Sequence, residues 1–409
     1  MIVLHCADWH LGNAGNRLDR ETGLNGSLMD RYRCARFCVE DGITRGAQLV
    51  LHAGDVFDSC RPTPTERRLA LDSLEPVGEA FVYTIALVGN HDASRSPTEK
   101  HALDMLREAE GVLVVDQPQV FFFREHPDDH WVSPCAPADA ELQVACLPWP
   151  NRQLLLTDEE HRKLDPGQLN LLMREKVMDC LRGLRAQCIP DVPAILLAHL
   201  SVDTAQAGAQ NRMMLLGADW SVNLHELEAL GFAACLLGHI HRPQAMGSRL
   251  TTVYAGSPEA CSFGEEGAEH NCVLWGISRD GKVTGEPIPT PYRRLVTLDE
   301  VESPGVLASV NEAPGKVADA IVRVRLPQSC ADQASAVRRR LEELGAVEVR
   351  MEIERAENVR RREVEVSTET SLDDALRAWL EQRPDLKPMT DELLAEARVV
   401  EAAAEGNAA

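Results

Sequence analysis

The chain has 409 residues, 64 of them acidic and 42 basic, for a formal charge of −22, and its 44% apolar content can fill the cores of two or three domains at the usual ~100–200 residues each. That charge excludes a protein that holds nucleic acid mainly through a broad basic surface, and leaves room for nucleic acid bound through metal ions or a partner. No stretch approaches the ~18 apolar residues of a membrane span, and the opening Met1-Ile2-Val3-Leu4-His5-Cys6 carries no basic leader, so a cytoplasmic protein is expected.

From residue 1 to 290, short apolar runs alternate with longer amphipathic stretches, the rhythm of a layered α/β domain. Strands are predicted at 2–5, 48–52, 81–88, 142–147, 194–198, 233–237 and 252–255, most of them running into Gly, Asp, Asn or His. Groups that bind ligands in open α/β sheets sit just beyond such strand ends. Over 291–355 the pattern changes. Val322, Val324 and Leu326 alternate with arginines, Ala334, Val337, Leu341 and Leu344 recur at helical spacing, and Val347, Val349, Met351 and Ile353 alternate with charges. This predicts a strand–helix–strand unit. Over 356–409, Ser371 caps a stripe of Leu372, Ala375, Leu376, Trp379 and Leu380, and Thr390 precedes Leu393, Leu394, Ala397 and Val400. Two short amphipathic helices cannot be a domain alone, so either this chain or a partner covers them. The twelve cysteines form no Cys-x-x-Cys pair and read as reduced core or loop residues.

Four strand ends carry residue types that bind metals: Asp8-Trp9-His10, Gly54-Asp55, Gly89-Asn90-His91-Asp92 and Gly238-His239-Ile240-His241, with His199 isolated before the last. Asp8, His10, Asp55, Asn90, His199, His239 and His241 make a mixed oxygen and imidazole set that suits Mn, Fe or Zn better than Ca. Glycine permits sharp turns and close approach. A carboxylate such as Asp55 can bridge two cations, and two cations ~3.5–4 Å apart can clamp a phosphate and acidify a water. His5 and His52 read as core, and His101, His126, His130, His161, His225 and His270 as surface or loop. Trp9 reads as a packing residue and Trp149, in Leu147-Pro148-Trp149-Pro150, as a rigid structural turn. The clusters Arg31/Arg33/Arg36, Arg338–Arg340 and Arg360–Arg362 are either solvated faces or contacts to DNA phosphates. The loop from Ser201 to Val222 receives no role.

Taken together, Asp8-Trp9-His10, Gly54-Asp55-Val56-Phe57-Asp58, Gly89-Asn90-His91-Asp92, His199 and Gly238-His239-Ile240-His241-Arg242 resemble the calcineurin-like metallophosphoesterase superfamily. The string from Leu4 to Gly12, with Gly256-Ser257-Pro258 followed by Ser262-Phe263, is similar to its bacterial DNA-nuclease branch. The resemblance implies a layered β-sandwich flanked by helices, a small α+β cap that positions DNA and a helical C-terminal tail. It implies two divalent ions, most readily Mn²⁺, one held by Asp8, His10, Asp55 and His241 and the other by Asp55, Asn90, His199 and His239. It gives His91 to the substrate phosphate or leaving oxygen, with Asp92 orienting its ring and Asp58 close by, where archaeal relatives carry a histidine. It further implies double-strand 3′–5′ exonuclease and single-strand or hairpin endonuclease action in DNA repair, recombination and replication. Arg31, Arg33 and Arg36 are candidate DNA contacts. An SMC-like ATPase would dock on Leu372, Leu376, Trp379, Leu393 and Leu394, and a homodimer is expected. The chain has no Gly-x-x-x-x-Gly-Lys-Ser/Thr loop of its own, so a partner must handle ATP. A stand-alone enzyme for small phosphodiesters or nucleotides would share every ligand but has no need of residues beyond 290. A scaffold that recruits a partner through the tail is the non-enzymatic rival.

Overall fold

The computed structural model describes residues 1–94, 96, 99–124, 131–135, 139–151, 155, 164–206, 220–299, 310 and 314–354, with 376, 377, 379, 380, 390, 391, 393–395 and 397 beyond them. In chain order the principal elements are β1 (Ile2–Cys6), α1 (Gly26–Thr44), β2 (Leu49–His52), α2 (Pro64–Glu79), β3 (Tyr83–Leu87), β4 (Val112–Val115), β5 (Gln119–Arg124), β6 (Trp131–Ser133) and β7 (Leu142–Leu147). There follow α3 (Pro166–Gln187), β8 (Ala194–His199), α4 (Leu224–Ala229), β9 (Ala234–Gly238), β10 (Gln244–Met246), β11 (Thr252–Tyr254), β12 (Asn271–Ile277) and β13 (Val283–Pro289). The last group is β14 (Leu295–Leu298), β15 (Ile321–Pro327), α5 (Ala334–Glu343) and β16 (Glu348–Glu354). Each of the seven strands predicted within 1–290 is present. The helices start where local chemistry directs. Thr63 Oγ1 accepts from Glu66 N (3.3 Å) while Glu66 Oε2 accepts from Thr63 N (2.7 Å), a reciprocal cap on α2, and Asn25 caps α1.

Two sheets stack face to face. One runs β13-β12-β1-β2-β3-β4 and the other β10-β11-β9-β8-β7-β5-β6. Because side chains alternate along a strand, each strand feeds two cores. Val3, Leu49, Leu51, Ile85 and Leu87 of the first sheet meet Val144, Cys146, Ile195, Leu197 and Leu236 of the second. Their neighbours Leu4, Val50 and Ala86 face outward beneath Cys38 and Val39 of α1 and Leu69 and Leu74 of α2. On the far side Ala145, Leu196 and Leu237 lie beneath Met173, Val177 and Leu181 of α3 and Leu227 of α4. The result is a four-layer α/β/β/α sandwich, each buried Leu or Ile contributing about 1.5–3 kcal/mol over exposure.

The predicted strand–helix–strand unit is β15-α5-β16, with Val337 and Leu341 of α5 packed on Val322, Val324, Leu326 and Val349. The structure adds β14, so the small sheet is three-stranded and parallel throughout. Farther on, Leu376, Trp379, Leu393 and Leu394 are helical positions; Leu380 and Leu394 are buried and Trp379 is 42% exposed. Leu394 is therefore already covered within the chain and offers no open face to a partner. Leu372, Ser371, Val400, Arg360–Arg362 and residues 207–219 of the unassigned loop lie outside the described residues. All twelve cysteines are free thiols. Among the described residues no helix is long and apolar enough to cross a membrane.

Candidate metal centre

The chain leaves β1, β2, β3, β8 and β9 through loops that converge. The first two are zipped together: Asp8 N donates to Gly54 O (2.9 Å), His10 N to Asp55 O (3.1 Å) and Leu11 N to Val56 O (2.9 Å). Asp8, His10, Asp55 and His239 hold left-handed backbone, with φ of 52°, 46°, 56° and 98°. Such strain costs about 1–3 kcal/mol per non-glycine residue and persists only where the surroundings enforce it. Gly89 supplies close approach, since a Cβ there would overlap the Asp55 carboxylate and backbone nitrogen.

The seven residues singled out as ligands come together. Asn90 Oδ1 lies 2.9 Å from His199 Nε2 and 2.9 Å from His239 Nδ1. Asp55 Oδ2 lies 3.4 Å from His199 Nε2 and 3.7 Å from His10 Nε2. His239 N donates to both oxygens of Asp8, at 3.0 and 3.1 Å. Ligand-capable atoms of Asp8, His10 and His241 fall within 4.8 Å of one another, as do those of Asp8, Asp55 and His199. His10, Asp55, Asn90, His239 and His241 border a cavity of about 320 Å³ whose wall also includes His91, Asp58, Arg31 and Cys261, while Asp8 and His199 are fully buried beside Asp55.

The electrostatics call for added positive charge. Asp8 and Asp55 are buried at 0% and 1% exposure, and among the described residues neither is paired with Lys or Arg. Burial pushes Asp8 up to about 6. Burial acts the same way on Asp55, but the His199 imidazole holds it below the usual carboxylate range. On His199 itself burial opposes the charge, and Asp55 overrides it, raising the ring to about 9. Burial lowers His10 to about 4 and His239 to about 3, which keeps both in the neutral form that ligates metals. His10 Nε2 is buried without a hydrogen-bond partner. Two buried carboxylates with no Lys or Arg beside them among the described residues, neutral His10 and His239 rings and an orphaned nitrogen fit divalent cations.

Several expectations are corrected. Asp92 does not orient His91. Its buried carboxylate accepts from the backbone nitrogens of Val56 (3.2 Å), Phe57 (2.9 Å) and Gly89 (3.1 Å), so it ties two loops together. The His91 ring is set by the Asp58 carbonyl, 3.0 Å from Nδ1, while its backbone N donates to Asp55 Oδ1 at 2.8 Å. The Asp58 carboxylate serves His10 instead, 3.4 Å from Nδ1, and that ring holds Asp58 down at about 2. Arg31 is no open surface cation: it is 4% exposed, lines the same cavity and donates to the His10 and Gly12 carbonyls at 2.7 and 3.3 Å. Arg33 is engaged by Asp19 and Glu21, and Arg36 by Glu40 and Glu75, so neither is an uncompensated cation. His270, expected at the surface, is buried with Nδ1 2.8 Å from Ser257 O.

Two residues that sequence reasoning missed stand behind the ligands. Trp149 is not merely a turn residue, since its ring packs 5.0 Å from His239 and 5.9 Å from His199, centroid to centroid. Glu265 places Oε1 3.0 Å from His241 Nδ1. Burial works against charge on His241, yet Cys261 and Glu265 carry it above the ordinary imidazole range. The proline-flanked Leu147-Pro148-Trp149-Pro150 was a usable signal for Trp149, whereas nothing local distinguishes Glu265 from its acidic neighbours.

Residues 1–243 match the family model for calcineurin-like phosphoesterases. The chain is 28% identical over 331 residues to the SbcD component of the SbcCD nuclease of Rhodobacter capsulatus, covering 76% of this chain and 75% of that protein. It is 26% identical over 278 residues to the SbcD component of the Bacillus subtilis SbcCD nuclease, covering 65% of this chain and 64% of the relative. Among solved structures, a dimetal phosphatase from Danio rerio superposes with a TM-score of 0.39 at 11% identity, covering 71% of this chain and 96% of that one.

Proposed function

The chain belongs to the calcineurin-like phosphoesterase family, and we propose that it is an SbcD-type nuclease, a metal-dependent phosphodiesterase that cleaves DNA in repair and recombination. One observation carries the chemistry: His10, Asp55, Asn90, His239 and His241 line one cavity with His91 on its wall, and the buried Asp8 and His199 cluster with them through Asp55. The similarity to SbcD proteins over three quarters of this chain supports DNA as the substrate.

In this reading Asp8, His10, Asp55 and His241 would hold one ion, and Asp55, Asn90, His199 and His239 the other, most readily Mn²⁺. When bound, the pair supplies positive charge to the phosphate and acidifies the attacking water. The chain's own residues do the rest. His91 keeps Nδ1 on the Asp58 carbonyl, which leaves Nε2 as the nitrogen that takes up or gives the proton of the leaving oxygen. Asp92, through three backbone nitrogens, holds the loops that present Asp55 and Asn90. Trp149 closes the His199 and His239 side against water.

We divide the chain into a nuclease domain (1–290), a cap that positions DNA (291–355) and a tail (356–409) that docks on the SMC-like ATPase SbcC. ATP would be handled by that partner, in a cytoplasmic assembly built on a homodimer. The test is cleavage of end-labelled duplex and hairpin DNA with Mn²⁺ by the wild type and Asn90→Ala, with and without the ATPase and ATP. Cleavage lost in Asn90→Ala and increased by partner and ATP is expected. Hydrolysis of small phosphodiesters with none of DNA under any condition overturns the reading. Truncation before Ser371 should abolish complex formation and spare Mn²⁺-dependent hydrolysis.

A further inference from the structure

The turn Phe263–Glu265 lies between the metal centre and the cap, and its side chains alternate between them. Outward, Arg323 of β15 stacks its guanidinium 4.4 Å over the Phe263 ring, and Arg350 of β16 approaches the same ring at 5.5 Å. The next outward residue, Glu266, accepts from Thr297 N of β14 at 2.6 Å and from the Thr297 hydroxyl. Thr297 Oγ1 in turn accepts from Arg323 Nε and Nη2, at 3.0 and 2.8 Å. All three strands of the cap thus grip this one turn. Inward, Glu265 is 6% exposed and reaches His241 Nδ1 at 3.0 Å with Oε1. Its Oε2 accepts from Cys261 N (3.1 Å) and Ser257 Oγ (3.3 Å). The carboxylate is therefore fixed at three points, one of them a ligand imidazole.

We propose that Glu265 is a positioning residue for His241 and that the Phe263–Glu266 segment is a strut through which the cap sets that ligand. The inference rests on the reading of His241 as a metal ligand. A carboxylate on Nδ1–H fixes the tautomer and the tilt of the ring and leaves Nε2 as the ligand nitrogen. Phe263 and Glu266 flank Glu265, so a shift of the cap sheet against the sandwich drags the intervening carboxylate with it. The ion held by Asp8, His10, Asp55 and His241 then responds to the position of the cap, while the ion on Asn90, His199 and His239 does not.

The test is calorimetric titration of Mn²⁺ into the metal-stripped full chain, with electron paramagnetic resonance of the loaded protein to report paired or isolated ions. Glu265→Gln should weaken one of two sites by about 10–100-fold and leave the other unchanged, converting a spin-coupled signal to that of a lone ion. Phe263→Ala, a change outside the core, should weaken the same site in the same direction. General loss of structure would weaken both sites together. Two wild-type affinities in Glu265→Gln, alongside loss of one site in His241→Ala, overturn the positioning role and leave the ligand reading intact. Two wild-type affinities in His241→Ala overturn the ligand reading itself. An unchanged Phe263→Ala protein beside a weakened Glu265→Gln protein overturns the link to the cap.

Discussion

Glu259 gives the protein a pH dependence that one substitution should remove. It lies 4% exposed beside α1, where its oxygens accept from Arg293 N (3.3 and 3.0 Å), Ala260 N (3.2 Å) and the Cys34 thiol (3.4 Å). Burial raises it to about 7, the Asp30 carboxylate adds to the rise, and Arg293 and Cys34 oppose it. The folded chain keeps this proton to about pH 7, whereas the unfolded chain releases it near 4.5. Between those values the native state binds more protons, so this group's contribution to stability falls as pH rises and levels off above 7. The gap, 7 − 4.5 = 2.5 pH units, corresponds to at most about 3.4 kcal/mol. Glu259→Gln mimics the protonated acid. In urea unfolding, the stability of the variant relative to wild type should rise by about 2–3 kcal/mol between about pH 5 and about pH 8. A difference constant to within about 0.5 kcal/mol over that range would show that Glu259 ionises normally in the fold, and the reasoning would fall.

Other substitutions probe the site directly. Gly89→Ala forces the Asp55 carboxylate back by on the order of 1 Å, and about 100-fold should be lost from kcat/KM on a chromogenic phosphodiester; wild-type turnover would mean that Asp55 is not at the centre of the chemistry. His91→Ala should lower kcat by about 10²–10⁴ with Mn²⁺ affinity unchanged by calorimetry. A lost ion would make His91 a ligand beside His10 and Asp55, whose donor atoms lie within 4.8 Å of its own. Arg31→Met leaves the His10 and Gly12 carbonyls without their donor and should destabilise the fold by about 2–3 kcal/mol. The salt dependence of DNA affinity should not change in that variant, since a phosphate contact would reduce the slope by about 1.

What is legible in the sequence follows from how local each signal is. β1, β2, β3, β8 and β9 announce themselves because each joins an apolar run to a polar end, and those ends are where the candidate ligands sit. β5 escapes sequence reasoning although Val120-Phe121-Phe122-Phe123 is buried on both faces, because an unbroken apolar run has no period that distinguishes strand from helix. β13 and β14 escape it because neither has a clear buried face: β13 is exposed along most of its length, and β14 is half-buried throughout. Within the site, the residues that cluster as expected are those whose direction the loop itself determines. Asp92 misleads because adjacency in sequence says nothing about which way a carboxylate turns after a tight bend. Arg31 looks like a surface cation by its spacing from Arg33 and Arg36, yet a 19-residue helix against a sheet necessarily turns one such position inward. Glu265 acts through a fold-back that brings residues 241 and 265 together, and no local pattern encodes it.

The position of β1 has a consequence for how the protein is made. This strand is central in its sheet, paired parallel with β2 on one side and antiparallel with β12 on the other. Synthesis must add 271 − 6 = 265 residues after β1 is complete before its second neighbour begins to emerge. At ~5–20 residues per second that is roughly 15–50 s during which one edge of a largely apolar strand, with its backbone N–H and C=O groups, waits for its mate on the ribosome. The nascent chain therefore passes most of its synthesis with an open edge that chaperones must shield, and lesions in β12 should surface first as aggregation during translation.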